Sequence, residues 1–143
     1  MATLRFRIAS AMPAHLPIDY VEFSVRDLAA AKAFYAAAVG WAFTDYGPGY
    51  AGIQRADGGE MGGLEETDAV QAGGPLVVLA SDDLDASRAQ VEAAGGDIVE
   101  PIFAFPGGRR FHFADPSGNV LAVAQYDDAE STALSSPTSA DGT

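Results

Sequence analysis

The chain carries the same strand-to-helix signal twice. Val21-Glu22-Phe23-Ser24-Val25 alternates apolar and polar residues, and Asp27-Leu28 then opens a helical pattern that runs to Gly40. Val77-Val78-Leu79-Ala80-Ser81, followed by Asp83-Leu84, opens a second that runs to Gly95-Gly96. An offset of 56 residues places Val21 on Val77, Asp27 on Asp83, Leu28 on Leu84 and Gly40 on Gly96. Short strand-like runs follow each helix. One βαβββ unit cannot bury the apolar face of its own sheet, so two in tandem must share a core. The expected class is α+β: tandem βαβββ modules forming a half-open mixed sheet whose concave side is a natural ligand cavity.

The rest of the pattern divides the chain. Residues 1–16 read as an N-terminal arm, 17–65 as the first module, 66–74 as a linker and 75–126 as the second module. Residues 127–143, rich in Ser, Thr, Ala and Asp, read as a disordered tail. In the first module Leu28, Ala31, Phe34, Tyr35 and Ala38 recur at helical spacing. Strand patterns follow at 41–46, 50–55 and 60–64, with Asp57-Gly58-Gly59 as a tight turn. In the second, Leu84, Ser87, Val91 and Ala94 face inward, and strands follow at 97–103, 109–114 and 119–126. Pro101 marks an edge or a bulge.

Composition narrows the function. A net charge of −12 argues against nucleic acid, which needs clustered Lys and Arg. The 143 residues include no cysteine, so neither disulfides nor thiolate metal sites are available. Neither a signal peptide nor an apolar run of membrane-spanning length stands out, so no membrane association and a cytoplasmic location are expected.

Two motifs carry a family resemblance. Val25-x-Asp27-Leu28, Phe34-Tyr35 and Val39-Gly40-Trp41 form the first. Phe111-x-Phe113-x-Asp115-Pro116-Ser117-Gly118-Asn119 forms the second. In this order and at this separation the chain resembles the vicinal oxygen chelate superfamily, which includes glyoxalase I, bleomycin-resistance proteins and extradiol dioxygenases. The resemblance spans about residues 18 to 126. It implies paired βαβββ modules around a cup-shaped cavity and a homodimer. Metal-dependent members place His, Gln or Glu at four strand positions, which fall here on Tyr20, Leu76, Ala122 and Gly62 or Gly63. That set cannot hold a divalent ion, so no cofactor is expected.

The candidate site follows from strand alternation. Val21, Phe23 and Val25 belong under the helices, while Tyr20, Glu22 and Ser24 line the cup. Ala122 and Ala124 on the last strand complete the expected ligand-binding wall, their small size leaving room. Glu22 reads either as a ligand-binding or general-base carboxylate or as an ion-pair partner of an arginine such as Arg109 or Arg110. Trp41 suits core and cavity equally. Gly62-Gly63 would let a flat ligand or another backbone approach closely. The expected function is a metal-free protein that binds a small aromatic or cationic molecule. The alternative is a lyase, isomerase or dioxygenase with a shifted metal site built from Glu22, Glu60 and His112.

Overall fold

The computed structural model of the chain describes residues 15–127. The expected tail and most of the N-terminal arm lie outside the described residues. The first module runs β1 (Val21–Val25), α1 (Leu28–Val39), β2 (Phe43–Asp45), β3 (Tyr50–Gln54) and β4 (Glu60–Glu66). The second runs β5 (Val77–Ala80), α2 (Leu84–Ala93), β6 (Asp97–Phe105), β7 (Gly108–Ala114) and β8 (Val120–Tyr126). Both are βαβββ units. Each forms its own four-stranded sheet, ordered β1-β4-β3-β2 and β5-β8-β7-β6. The first strand of each unit pairs in parallel with the last, and the other pairings are antiparallel. The half-open mixed sheet thus takes the form of two sheets, one per module.

The helices start alike. Asp27 and Asp83 sit in extended backbone and accept hydrogen bonds from the N–H groups of Ala30 and Ala86 at 2.9 and 3.1 Å. The end of each module's last strand reaches back to the same turn. Glu66 Oε2 accepts from Leu28 N at 3.0 Å, and Gln125 Oε1 accepts from Leu84 N at 2.9 Å. The helix ends differ. The left-handed glycine is Gly40 (φ 76°) after α1 but Gly95 (φ 99°) after α2, so the repeat slips by one residue. Gly96 is thereby freed to pack. A Cβ there would crowd Val91 and the ring of Phe34, which crosses from the first module.

One core spans both modules. Phe34 lies edge-on to Tyr35, with centroids 5.0 Å apart, and packs against Phe113 of β7. Trp41 stacks on Tyr35 at 4.7 Å and borders Phe23, so it belongs with the core. Pro101 lies where the β6–β7 register shifts, as its bulge reading requires. In β1, Val25 is fully buried and Val21 and Phe23 are half-buried, while Glu22 is exposed.

A polar joint locks the modules where β1 turns into α1. The buried Asp115 carboxylate accepts from Ser117 N and Asn119 N at 2.8 Å, from Asn119 Nδ2 at 2.9 Å and from the Tyr35 hydroxyl at 2.7 Å. Asn119 Nδ2 also donates to Ser24 O at 3.0 Å, and Ser117 Oγ accepts from Arg26 N at 2.9 Å. Burial, then the neighbouring Asp115 charge, push the Tyr35 phenol far above its ordinary range, so it stays a donor at any physiological pH. Tyr35→Phe removes one of four donors to a buried carboxylate. We expect it to lower unfolding free energy by about 1–3 kcal/mol in urea melts. An unchanged midpoint would contradict the joint.

Candidate functional site

The first module presents a polar face away from its helix. Alternation along β1 puts Tyr20, Glu22 and Ser24 there. The register sets Glu22 beside Gly63, Gly63 beside Gly52, and Ser24 beside Glu65. Two glycines facing each other across β3 and β4 leave a trench, and phenols and carboxylates of the same chain fill it. A Cβ on Gly63 would collide with the hydroxyls of Tyr50 and Tyr20, and one on Gly52 with the carboxylate of Glu60. The close approach expected at Gly62-Gly63 is therefore made at Gly63 by two tyrosines. Gly62 turns the other way, against the Val21 backbone.

These groups form a chain of three and a neighbouring pair. The hydroxyls of Tyr20 and Tyr50 are 2.6 Å apart, and Tyr50 donates to Glu22 Oε1 at 3.1 Å. Tyr46 donates to Glu60, and its ring lies 6.4 Å from that of Tyr50. Burial first, then the hydrogen bonds to Tyr20 and Glu22, raise the Tyr50 phenol above its usual value. The hydrogen bond to Glu60 raises Tyr46. Both phenols stay protonated at neutral pH and hold the carboxylates by donation. No described cation pairs with Glu22. Arg109 instead lies 3.9 Å from Asp85, and Arg110 makes no ion pair with a described residue. A ligand amine or hydroxyl could reach the remaining acceptor positions of Glu22. Beside it, a cavity of about 290 Å³ is lined by Glu22, Ser24, Glu65, Thr67, Ala69 and Gln71. Ser24 Oγ accepts from Gln71 N at 2.7 Å, so this hydroxyl fixes the linker over the face.

The expected wall divides between the two sheets. Tyr20, Glu22 and Ser24 belong to the first module. Ala122 and Ala124 lie in β8 of the second, both fully buried, with His112 and Arg110 as cross-strand neighbours. No described cavity brings the two groups together. The metal set divides likewise, with Glu22 and Glu60 on one sheet and His112 on the other. Among the described residues no three His, Cys, Asp or Glu side chains converge as a metal centre requires. The family's own ligand positions fit a metal no better. Gly63 and Ala122 offer no donor, Leu76 is apolar, and the Tyr20 hydroxyl is engaged with Tyr50. Sequence reasoning missed Tyr46 and Tyr50 as site residues. The available signal was a side-chain-free glycine in each of two successive strands, Gly52 and Gly63, which pair across β3 and β4 and leave space for a bulky neighbour.

Gly63→Ala should expel the Tyr20–Tyr50 pair. We expect a loss of about 1–3 kcal/mol in stability from overpacking. In spectrophotometric titration one phenol should also move down toward the ordinary value. Gly49→Ala, where a Cβ meets nothing within 4 Å, is the control.

Comparison with known proteins agrees with this architecture. The family model described as Glyoxalase/Bleomycin resistance protein/Dioxygenase superfamily matches residues 17–123. A glyoxalase-related enzyme from Fulvimarina pelagi superposes with a TM-score of 0.65 at 22% identity, over 76% of this chain and 87% of that one. A glyoxalase/bleomycin resistance protein/dioxygenase family enzyme from Burkholderia phytofirmans gives 0.67 at 18% identity, over 78% and 99%. TnmS3, an antibiotic binding protein from a Streptomyces species, gives 0.61 at 27% identity, over 80% and 99%. Comparison with curated proteins gives no match. With two βαβββ units in tandem and a family model matching most of its length, the chain belongs to the glyoxalase/bleomycin resistance protein/dioxygenase superfamily.

Proposed function

We propose that the chain is a metal-free binding protein that holds a small organic molecule on the open face of its first module, as a homodimer. The observation that carries this reading is the Tyr20–Tyr50–Glu22 chain of hydrogen bonds. It leaves one exposed carboxylate held in place by a phenol, with no described counter-charge, at the edge of the 290 Å³ cavity and beside the Tyr20 and Tyr50 rings. Aromatic faces suit a planar ligand, and the carboxylate suits an amine or hydroxyl on it. The likeness to TnmS3, described as antibiotic binding, supports a binding role. The lack of a donor set at the family's metal positions disfavours Lewis-acid chemistry at that place.

The dimer rests on exposed apolar strand surface. Leu76 and Val78 on and beside the edge strand β5, Val99 on the edge strand β6 and Val120 at the start of β8 are each more than a third exposed. An uncovered edge with apolar side chains invites a second chain. No helix among the described residues is long and apolar enough to cross a membrane.

Two measurements test the reading. Light scattering at micromolar protein should give twice the chain mass, and a monomer would contradict the dimer. Calorimetric titration with tryptamine and with bleomycin should find saturable binding to at least one. Glu22→Gln should weaken it by about 1–3 kcal/mol, as expected for a lost charge-assisted hydrogen bond. The fold of that variant should be unharmed, because Glu22 is exposed. Unchanged binding with a large loss of stability would make Glu22 a structural residue instead.

A further inference from the structure

The open face of the second module is chemically opposite to that of the first. Its strands present Arg110 and His112 from β7, two residues apart on the same side, above Ala124 and Ala122 of β8. The Arg110 guanidinium lies between two rings of β6, its central carbon 5.4 Å from the centroids of both Phe103 and Phe105. The His112 ring meets Phe103 edge-on at 5.7 Å. The rings hold the guanidinium by cation–π attraction, and its Nε is covered.

That arrangement leaves two polar nitrogens without partners. Arg110 Nε and His112 Nε2 are both buried, and neither has a hydrogen-bond partner among the described residues. A guanidinium is always charged, and here its covered Nε–H is left without an acceptor. The acids packed nearby do not supply one. Glu100 on β6 stands across from His112 but forms no ion pair with Arg110. Asp85 lies by Arg109, whose side chain projects to the other side of the strand. Burial first, then the Arg110 charge, lower the His112 pKa, against a smaller upward pull from Glu100. The imidazole is therefore neutral at pH 7 and can donate one N–H. Buried polar groups without protein partners are completed by a water, an ion or a ligand.

We propose that Arg110 and His112 form a binding site for a small organic carboxylate on the open face of the second module. The carboxylate lies against the terminal nitrogens of the guanidinium, whose fork matches its two oxygens. Phe103 and Phe105 fix the plane of that fork, and His112 contributes a further donor. The bound anion offsets the Arg110 charge felt by His112, so binding draws the imidazole toward its protonated form and strengthens as pH falls through the imidazole's own titration range. This site stands on residues different from those of the first-module reading, and either can fail alone.

Benzoate is the probe, followed by NMR of the full chain through the His112 ring and the Arg110 Nε–H. We expect saturable shifts at both, a rise in the His112 pKa at saturation, and no response to benzyl alcohol. Arg110→Gln should weaken benzoate binding about ten- to a hundredfold, as loss of a charged hydrogen-bond donor does. Arg110→Lys should recover only part, because the fork is gone. Arg109→Gln makes the same charge change at the neighbouring position and should have no effect. Equal shifts from benzyl alcohol, or an Arg110→Gln variant that binds normally, would overturn the site. So would loss of binding in Glu22→Gln but not in Arg110→Gln, which would put benzoate on the first module. Shifts at His112 that follow protein concentration and ignore benzoate would also overturn it, by assigning the missing counter-charge to a second copy. Inorganic phosphate binding as tightly as benzoate would mean a generic anion site, contrary to the carboxylate assignment.

Discussion

The arrangement depends on one buried carboxylate. Asp115 gathers four donors, and a lone charge in that position would be costly to bury without them. Three donors belong to its own turn and shape it. The fourth, the Tyr35 hydroxyl, comes from the helix of the other module. The shaped turn then presents Ser117 and Asn119 to the backbone of Arg26 and Ser24 at the end of β1. Glu22 sits two residues before that contact. The position of the candidate site in the first module is thus fixed by a turn in the second.

The two open faces follow from the same sheet plan with different side chains. In the first, glycines across β3 and β4 make space that phenols and carboxylates occupy. In the second, Ala122 stands where the first has Gly63, and Ala124 lies beneath an arginine held between phenylalanines. The repeat supplies the frame, and the cross-strand pairs give each face its own side-chain chemistry. A net charge of −12 does not convey this, since it averages over both faces.

Much of this was legible in the sequence because it is local. The Asp27 and Asp83 caps, the Gly40 terminus and the alternation of Val21 to Val25 each depend on a few neighbouring residues, and each stands where expected. Which face Glu22 occupies was legible for the same reason. Its partner was not. Tyr50 reaches it across β4, and no spacing rule couples residues 22 and 50. The pairing with Arg109 or Arg110 weighed from charge alone does not occur, because those residues lie on the other sheet. Asp115-Pro116-Ser117-Gly118 was readable as a turn, but its role as a joint depends on contacts spanning 80 to 95 residues.

Those spans bear on how the chain acquires its shape. During synthesis Ser24 and Arg26 leave the ribosome long before Ser117 and Asn119 exist. The corner between β1 and α1 therefore waits, with its carbonyl and amide solvated, until almost the whole described chain has emerged. Closing so distant a contact costs loop entropy before it returns any stabilisation, which slows folding relative to a protein built from local contacts. The first module cannot finish as an independent folding unit, despite holding a complete βαβββ set. The two halves share a common origin in pattern, yet the later one must be present for the earlier one to be completed.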